Sequence, residues 1–160
     1  MRNKIQHIVL LCLLTGMFTP VFAKETQHVL VFISFSMPKE SLKTWIRDAN
    51  IIHAPVVIRG LVNNSFKETI AAVNALTKEG ASGVQIDPTL FERYEIKQVP
   101  AVAVVTSPRC VPNLSCREDY DVQYGDASLH YALKQIARQD DPLSPFAEDA
   151  LYLLKKASHA

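Results

Sequence analysis

The chain has 160 residues, 48% hydrophobic and 21% charged, a globular composition that excludes a disordered or fibrous protein. A net charge of +1 with no basic block argues against a charge-driven nucleic-acid binder. Five glycines, nine prolines and three cysteines exclude a collagen, a flexible linker and a cysteine-dense mini-scaffold.

The first element in the chain reads as an export signal. Arg2 and Lys4 form a short positive region, Ile8 to Leu14 is apolar, and Val21-Phe22-Ala23 offers a cleavage site after Ala23. The apolar run is short for a membrane span. Leu11 before Cys12 does not suit a lipid-anchoring motif. Cleavage removes two cations and no acid, which takes the net charge from +1 to −1 and leaves Cys110 and Cys116 as the only cysteines. The product is expected in the periplasm without a membrane span. An even cysteine pair in an oxidising compartment predicts a disulfide.

His28 to Ile33 is apolar and β-prone and predicts a buried strand. Ser36-Met37-Pro38 opens a helix, with Ser36 as its cap and Pro38 in the first turn. Leu42, Trp45, Ile46 and Ala49 then recur at i, i+3, i+4 and i+7, one apolar stripe. Pro55 to Ile58 is a second strand, ended by Arg59-Gly60. Asn63-Asn64-Ser65 caps a second helix to about Glu79, with Phe66, Ile70, Val73 and Leu76 inward and Gly80 as its stop. Val84 to Ile86 is short and extended. Asp87-Pro88 begins a short helix with Leu90, Phe91 and Tyr94.

Ala101 to Val105 and Tyr120 to Tyr124 are the next strands, and their connection holds both cysteines. Ser128 caps a helix with the stripe Leu129, Ala132, Leu133 and Ile136. The order β-α-β-α-β-β-α predicts an α/β domain over 24–140, a mixed sheet with helices on both faces. Residues 141–160 form a C-terminal amphipathic helix and tail. Its stripe is Phe146, Ala150, Leu153 and Leu154, which either packs back on the domain or docks a partner.

The segment Asp87 to Ala101, with Tyr94 and Val99-Pro100, resembles the thioredoxin stretch that runs through a tyrosine into a cis-proline and the next strand. The resemblance implies a thioredoxin-like fold with a cis Val99-Pro100 bond. Ser36-Met37-Pro38-Lys39 stands where thioredoxins carry Cys-Gly-Pro-Cys, and Leu30 stands where they keep a buried carboxylate. Serine cannot form a disulfide or replace a thiolate. The fold is therefore expected without the redox chemistry.

Phe32 to Pro38, Ile58-Arg59-Gly60-Leu61 and Ile86-Asp87-Pro88 with Leu90-Phe91 together resemble the TrbC family, pilin assembly proteins of F-type conjugative transfer systems. That resemblance spans about Val29 to Arg138. It implies a non-enzymatic role in pilus extension beside a TraW-type partner, with pilin and other transfer-apparatus proteins as further partners.

Ligands of open α/β sheets meet the carboxyl ends of the parallel strands. The candidate binding residues are Phe35, Ser36, Met37, Pro38, Arg59, Val99 and Pro100. By the thioredoxin resemblance Val99 pairs its backbone with an extended peptide, and Phe35, Met37 and Pro100 wall it. Arg59 suits a carboxylate. Cys110 and Cys116 are expected to staple the hairpin tip; the rival is a periplasmic thiol–disulfide oxidoreductase that uses this pair, with Arg109 and Arg117 favouring a thiolate. The scattered His28, His53, His130 and His159 give no metal-ligand spacing, and no cofactor is expected.

Overall fold

The computed structural model describes residues 28–76, 84–110 and 116–159. The expected export signal over 1–23, Cys12 and the Gly80 helix stop lie outside them. A five-stranded sheet organises the chain: β1 (Val29–Ile33), β2 (Val56–Ile58), β3 (Val84–Ile86), β4 (Ala101–Val105) and β5 (Tyr120–Tyr124). Its spatial order is β3-β2-β1-β4-β5. β1 and β2 run parallel, as do β2 and β3, whereas β1–β4 and β4–β5 are antiparallel. The extended stretch Val84–Ile86 is thus a strand in its own right. It adds to the outside of β2 in the register Val57 opposite Gln85.

β1 sits in the middle, and all five of its residues are buried. Side chains alternate across a strand. Val29, Val31 and Ile33 therefore enter one core with Val102 and Val104 of β4, while Leu30 and Phe32 enter a second core with Ala101, Ala103 and Val105. A strand covered on both faces needs an unbroken apolar run, which is why this segment carries no alternating polar residue.

Four helices pack on the first face: α1 (Lys39–Ile51), α2 (Phe66–Leu76), α4 (Leu129–Ala137) and α5 (Ser144–Ser158). The stripes read for α1 and α4 are the buried ones, Leu42, Trp45, Ile46 and Ala49, and Leu129, Ala132, Leu133 and Ile136. Ser128 caps α4 by accepting the Tyr131 N–H at 3.0 Å. The second face is closed by α3 (Pro88–Arg93) and the turn after it, through Phe91, Tyr94 and Ile96. Phe91 meets Phe32 edge to face at 4.9 Å between centroids, a favourable ring arrangement. Asp87 caps α3, accepting the Thr89 and Leu90 N–H groups. The Thr89 hydroxyl, foremost, and these N–H donors hold the Asp87 carboxyl below the usual carboxylate range.

Two helices differ from their sequence reading. In α2 the most buried residue is Thr69, while Phe66 is 63% and Ile70 45% exposed. The reason is a polar staple. The Thr69 hydroxyl donates to the Ser65 carbonyl at 2.8 Å and accepts the Val62 N–H at 2.9 Å. This turns Thr69, and not the Phe66–Ile70 edge, toward the one-turn 3-10 helix at Val62–Asn64. In α5 the inward stripe is Ala147, Ala150 and Leu154, preceded by Leu143, and Leu153 faces out. Small alanines let α5 lie close on α4, so its apolar face is covered by the chain's own core and not left for a docking partner. His28 stacks on Phe146 at 3.7 Å, and its Nδ1–H donates to the Val105 carbonyl at 2.8 Å.

Candidate functional site

The parallel strands β1 and β2 end side by side, and the loops that follow them meet the segment entering β4. Between these loops lies a cleft of about 660 Å³. After β1 the chain turns at Ser34-Phe35-Ser36, closed by a Met37 N–H to Ser34 carbonyl bond of 3.0 Å. The Ser36 hydroxyl and N–H both pair with the Ser34 hydroxyl, at 2.9 and 3.3 Å. Ser36 is therefore not the cap of α1. That position falls to Pro38, which makes no side-chain capping bond.

After β2 comes Arg59. Its Nη2 donates to the Ile96 carbonyl at 2.7 Å, and its guanidinium lies 4.8 Å from the Phe91 ring centre. Both contacts fix the head group, one by a charge-assisted hydrogen bond and one by attraction to the ring face. They also tie the end of β2 to the segment that approaches β4. That segment ends in a cis Val99-Pro100 bond. The Pro100 carbonyl accepts the Gly125 N–H at 3.1 Å, whereas no backbone bond among the described residues engages Val99.

Of the residues singled out from sequence, Phe35, Ser36, Arg59 and Val99 line the cleft together. Met37, Pro38 and Pro100 do not. Met37 turns half-buried against the main core, Pro38 starts α1 in solvent, and Pro100 is buried. Sequence reasoning missed Leu61, Val62 and Asn63, which continue the loop after Arg59-Gly60, and Lys97 and Gln98, which lead into Val99. The signal for the latter pair was their position just before the cis-proline.

Behind the cleft, burial pushes the Tyr94 hydroxyl above its ordinary value, and the Glu118 carboxylate that accepts its hydrogen bond at 3.2 Å adds to the rise. Among the described residues no group of histidines, cysteines and carboxylates is placed to hold a metal. None of their helices is long and apolar enough to cross a membrane.

Cys110 and Cys116 form a disulfide that bridges the two arms of the β4–β5 connection, with their Cα atoms 4.0 Å apart. Beside it Arg109 and Arg117 exchange two backbone hydrogen bonds, and Arg109 pairs with Asp119. Neither cysteine lines the cleft.

The connectivity, the cis Val99-Pro100 bond and the cleft at the strand ends make this a mixed α/β protein of thioredoxin-like arrangement. The chain belongs to the family of type-F conjugative transfer system pilin assembly proteins, whose family model matches residues 31–136. It is 40% identical over 119 residues to the periplasmic protein TrbC of Escherichia coli (strain K12). The match covers 74% of this chain and 51% of that protein, so the chain spans about half the length of this curated relative. No solved structure matches the chain.

Proposed function

We propose that this chain is a periplasmic assembly factor for the conjugative pilus of an F-type type IV secretion system, and that it works by binding protein segments, not by turnover. The observation that carries the reading is the cleft itself. It keeps the cis-proline loop and a Val99 backbone that no described residue engages, the features suited to pairing with an extended peptide. It carries Ser36 in the place of an attacking cysteine. A hydroxyl there can hydrogen-bond a passing chain but cannot exchange disulfides.

The rival oxidoreductase reading would place its chemistry at Cys110 and Cys116, and that pair lies outside the cleft, in the β4–β5 connection, where no helix starts among the described residues. Its role in this reading is structural. The partners are a TraW-type assembly protein, pilin and other components of the transfer apparatus. Export through the N-terminal signal delivers the chain to them.

Site-specific photo-crosslinking in donor cells tests the reading. A photoreactive residue at Ser36 or Gln98 is expected to capture a protein of the transfer apparatus, and one at the exposed Tyr152 is expected to capture none. Capture from Tyr152 alone would move the binding surface to α5 and overturn the assignment.

A further inference from the structure

We infer that the segment taken by the cleft is acidic: an extended peptide that carries an aspartate or glutamate side chain next to apolar side chains. This deepens the binding reading above and rests on it. The chain has nearly equal numbers of bases and acids, 17 against 16, yet among the described residues the cleft lining contains Arg59 and Lys97 and no carboxylate. Three described cations pair with carboxylates, Lys43 with Glu40, Arg47 with Asp48 and Arg109 with Asp119. Arg59 and Lys97 share with the other described cations the lack of such a partner, and what sets them apart is that both line the cleft.

Arg59 is also held in advance. One N–H is spent on the Ile96 carbonyl, and the guanidinium is laid over Phe91. A guanidinium has five N–H donors, so four remain, and little side-chain freedom is left to lose when they bind a carboxylate. The rest of the wall is mainly apolar, with Ile33, Phe35, Ile58 and Val62 at hand. A carboxylate with apolar neighbours on an extended chain satisfies both features at once, and the open Val99 backbone supplies the strand-like pairing.

On the cleft rim Leu61 is 36% exposed, and the Val62 N–H bond to Thr69 ties that rim to α2.

The test uses the full chain and fluorescein-labelled synthetic peptides that alternate aspartate with leucine and threonine. An otherwise identical peptide has asparagine for aspartate, and a third has asparagine and a free C-terminal carboxylate in place of the amide. Fluorescence anisotropy is expected to show the aspartate peptide binding about tenfold tighter than the amidated asparagine one, the scale of a partly exposed charge-assisted bond. Lys97→Gln and Arg59→Gln should each erode that advantage. Lys97→Gln removes no hydrogen bond or ion pair within the described residues, so its result stands even if Arg59→Gln loosens the fold.

Equal binding of the first two peptides overturns the acidic preference while leaving the cleft as a peptide site. A preference only for the free C-terminus overturns it in favour of chain-end capture. Binding of none overturns it together with the peptide-binding reading.

Discussion

Thr69 shows how one hydroxyl can set the direction of a whole side of the molecule. It is 2% exposed and serves as donor and acceptor at once, joining the cleft rim at Val62 to α2. Thr69→Val keeps the shape but leaves the Val62 N–H without its partner, and is expected to cost about 1–3 kcal/mol in urea denaturation. Asp126 is a second such residue, accepting the Ser41 hydroxyl at 2.5 Å and the Trp45 indole N–H at 2.8 Å. The Ser41 bond first, and the Trp45 bond second, hold its carboxyl below the ordinary value of 3.8.

A depressed folded value means that the unfolded chain binds the proton more readily. The stability that Asp126 contributes is therefore complete above 3.8 and is lost as pH falls through the lower folded value. Asp126→Asn should make unfolding less dependent on pH between about pH 5 and pH 3. The emission of Trp45, the only tryptophan, reports both the contact and the transition. Neither residue was legible in the sequence as important. A threonine inside an apolar helix pattern and an aspartate beside a glycine become informative only when chain segments distant in sequence meet.

At the scale of elements, legibility followed how completely each one is packed. The periodic stripes of α1 and α4 are the buried stripes, because both helices press a full apolar face on the sheet. The same periodicity misdirected the reading of α2 at Phe66 and Ile70, though not at Leu76, which packs on the main core, since apolar spacing says that a face exists but not that the molecule covers it. Leu133→Ala in α4 should accordingly cost about 2–5 kcal/mol, the range for emptying a filled core site. Phe66→Ser in α2 should change stability by no more than about 0.5 kcal/mol, as expected for an exposed position. The pair of denaturation curves checks both.

The hairpin that connects β4 and β5 is stapled by Cys110–Cys116, which sequence arithmetic anticipated. With a sequence separation of 6, reducing it should cost roughly 2 kcal/mol by loop-closure entropy, read as a lower denaturation midpoint in dithiothreitol.

For the whole molecule, the mixed α/β architecture and the cis-proline were readable because local motifs carry them: a buried strand, a proline-led helix and the stretch through Tyr94 to Pro100. The cleft was readable only at its first-level positions, Phe35, Ser36, Arg59 and Val99. Its remaining wall comes from loop residues such as Asn63, whose left-handed backbone (φ 48°) has no strong single-residue signature. The added edge strand Val84–Ile86 was legible as extended but not as paired, since three residues carry little pattern.

Membership of the pilin assembly family and a cleft lined by no cysteine among the described residues motivate the central proposal, that the molecule contributes to pilus assembly by binding at the strand ends, with no thiol chemistry. Complementation tests it most directly. Donor cells that lack the gene receive wild type, the Cys110→Ser/Cys116→Ser double variant, or Val99→Arg, which fills the cleft, and pili and transfer events are counted alongside the amount of each protein. The account predicts that the cysteine variant restores both wherever it accumulates and that Val99→Arg, present at normal levels, restores neither. A cysteine variant that accumulates normally yet restores nothing, beside a Val99→Arg that restores everything, would contradict it.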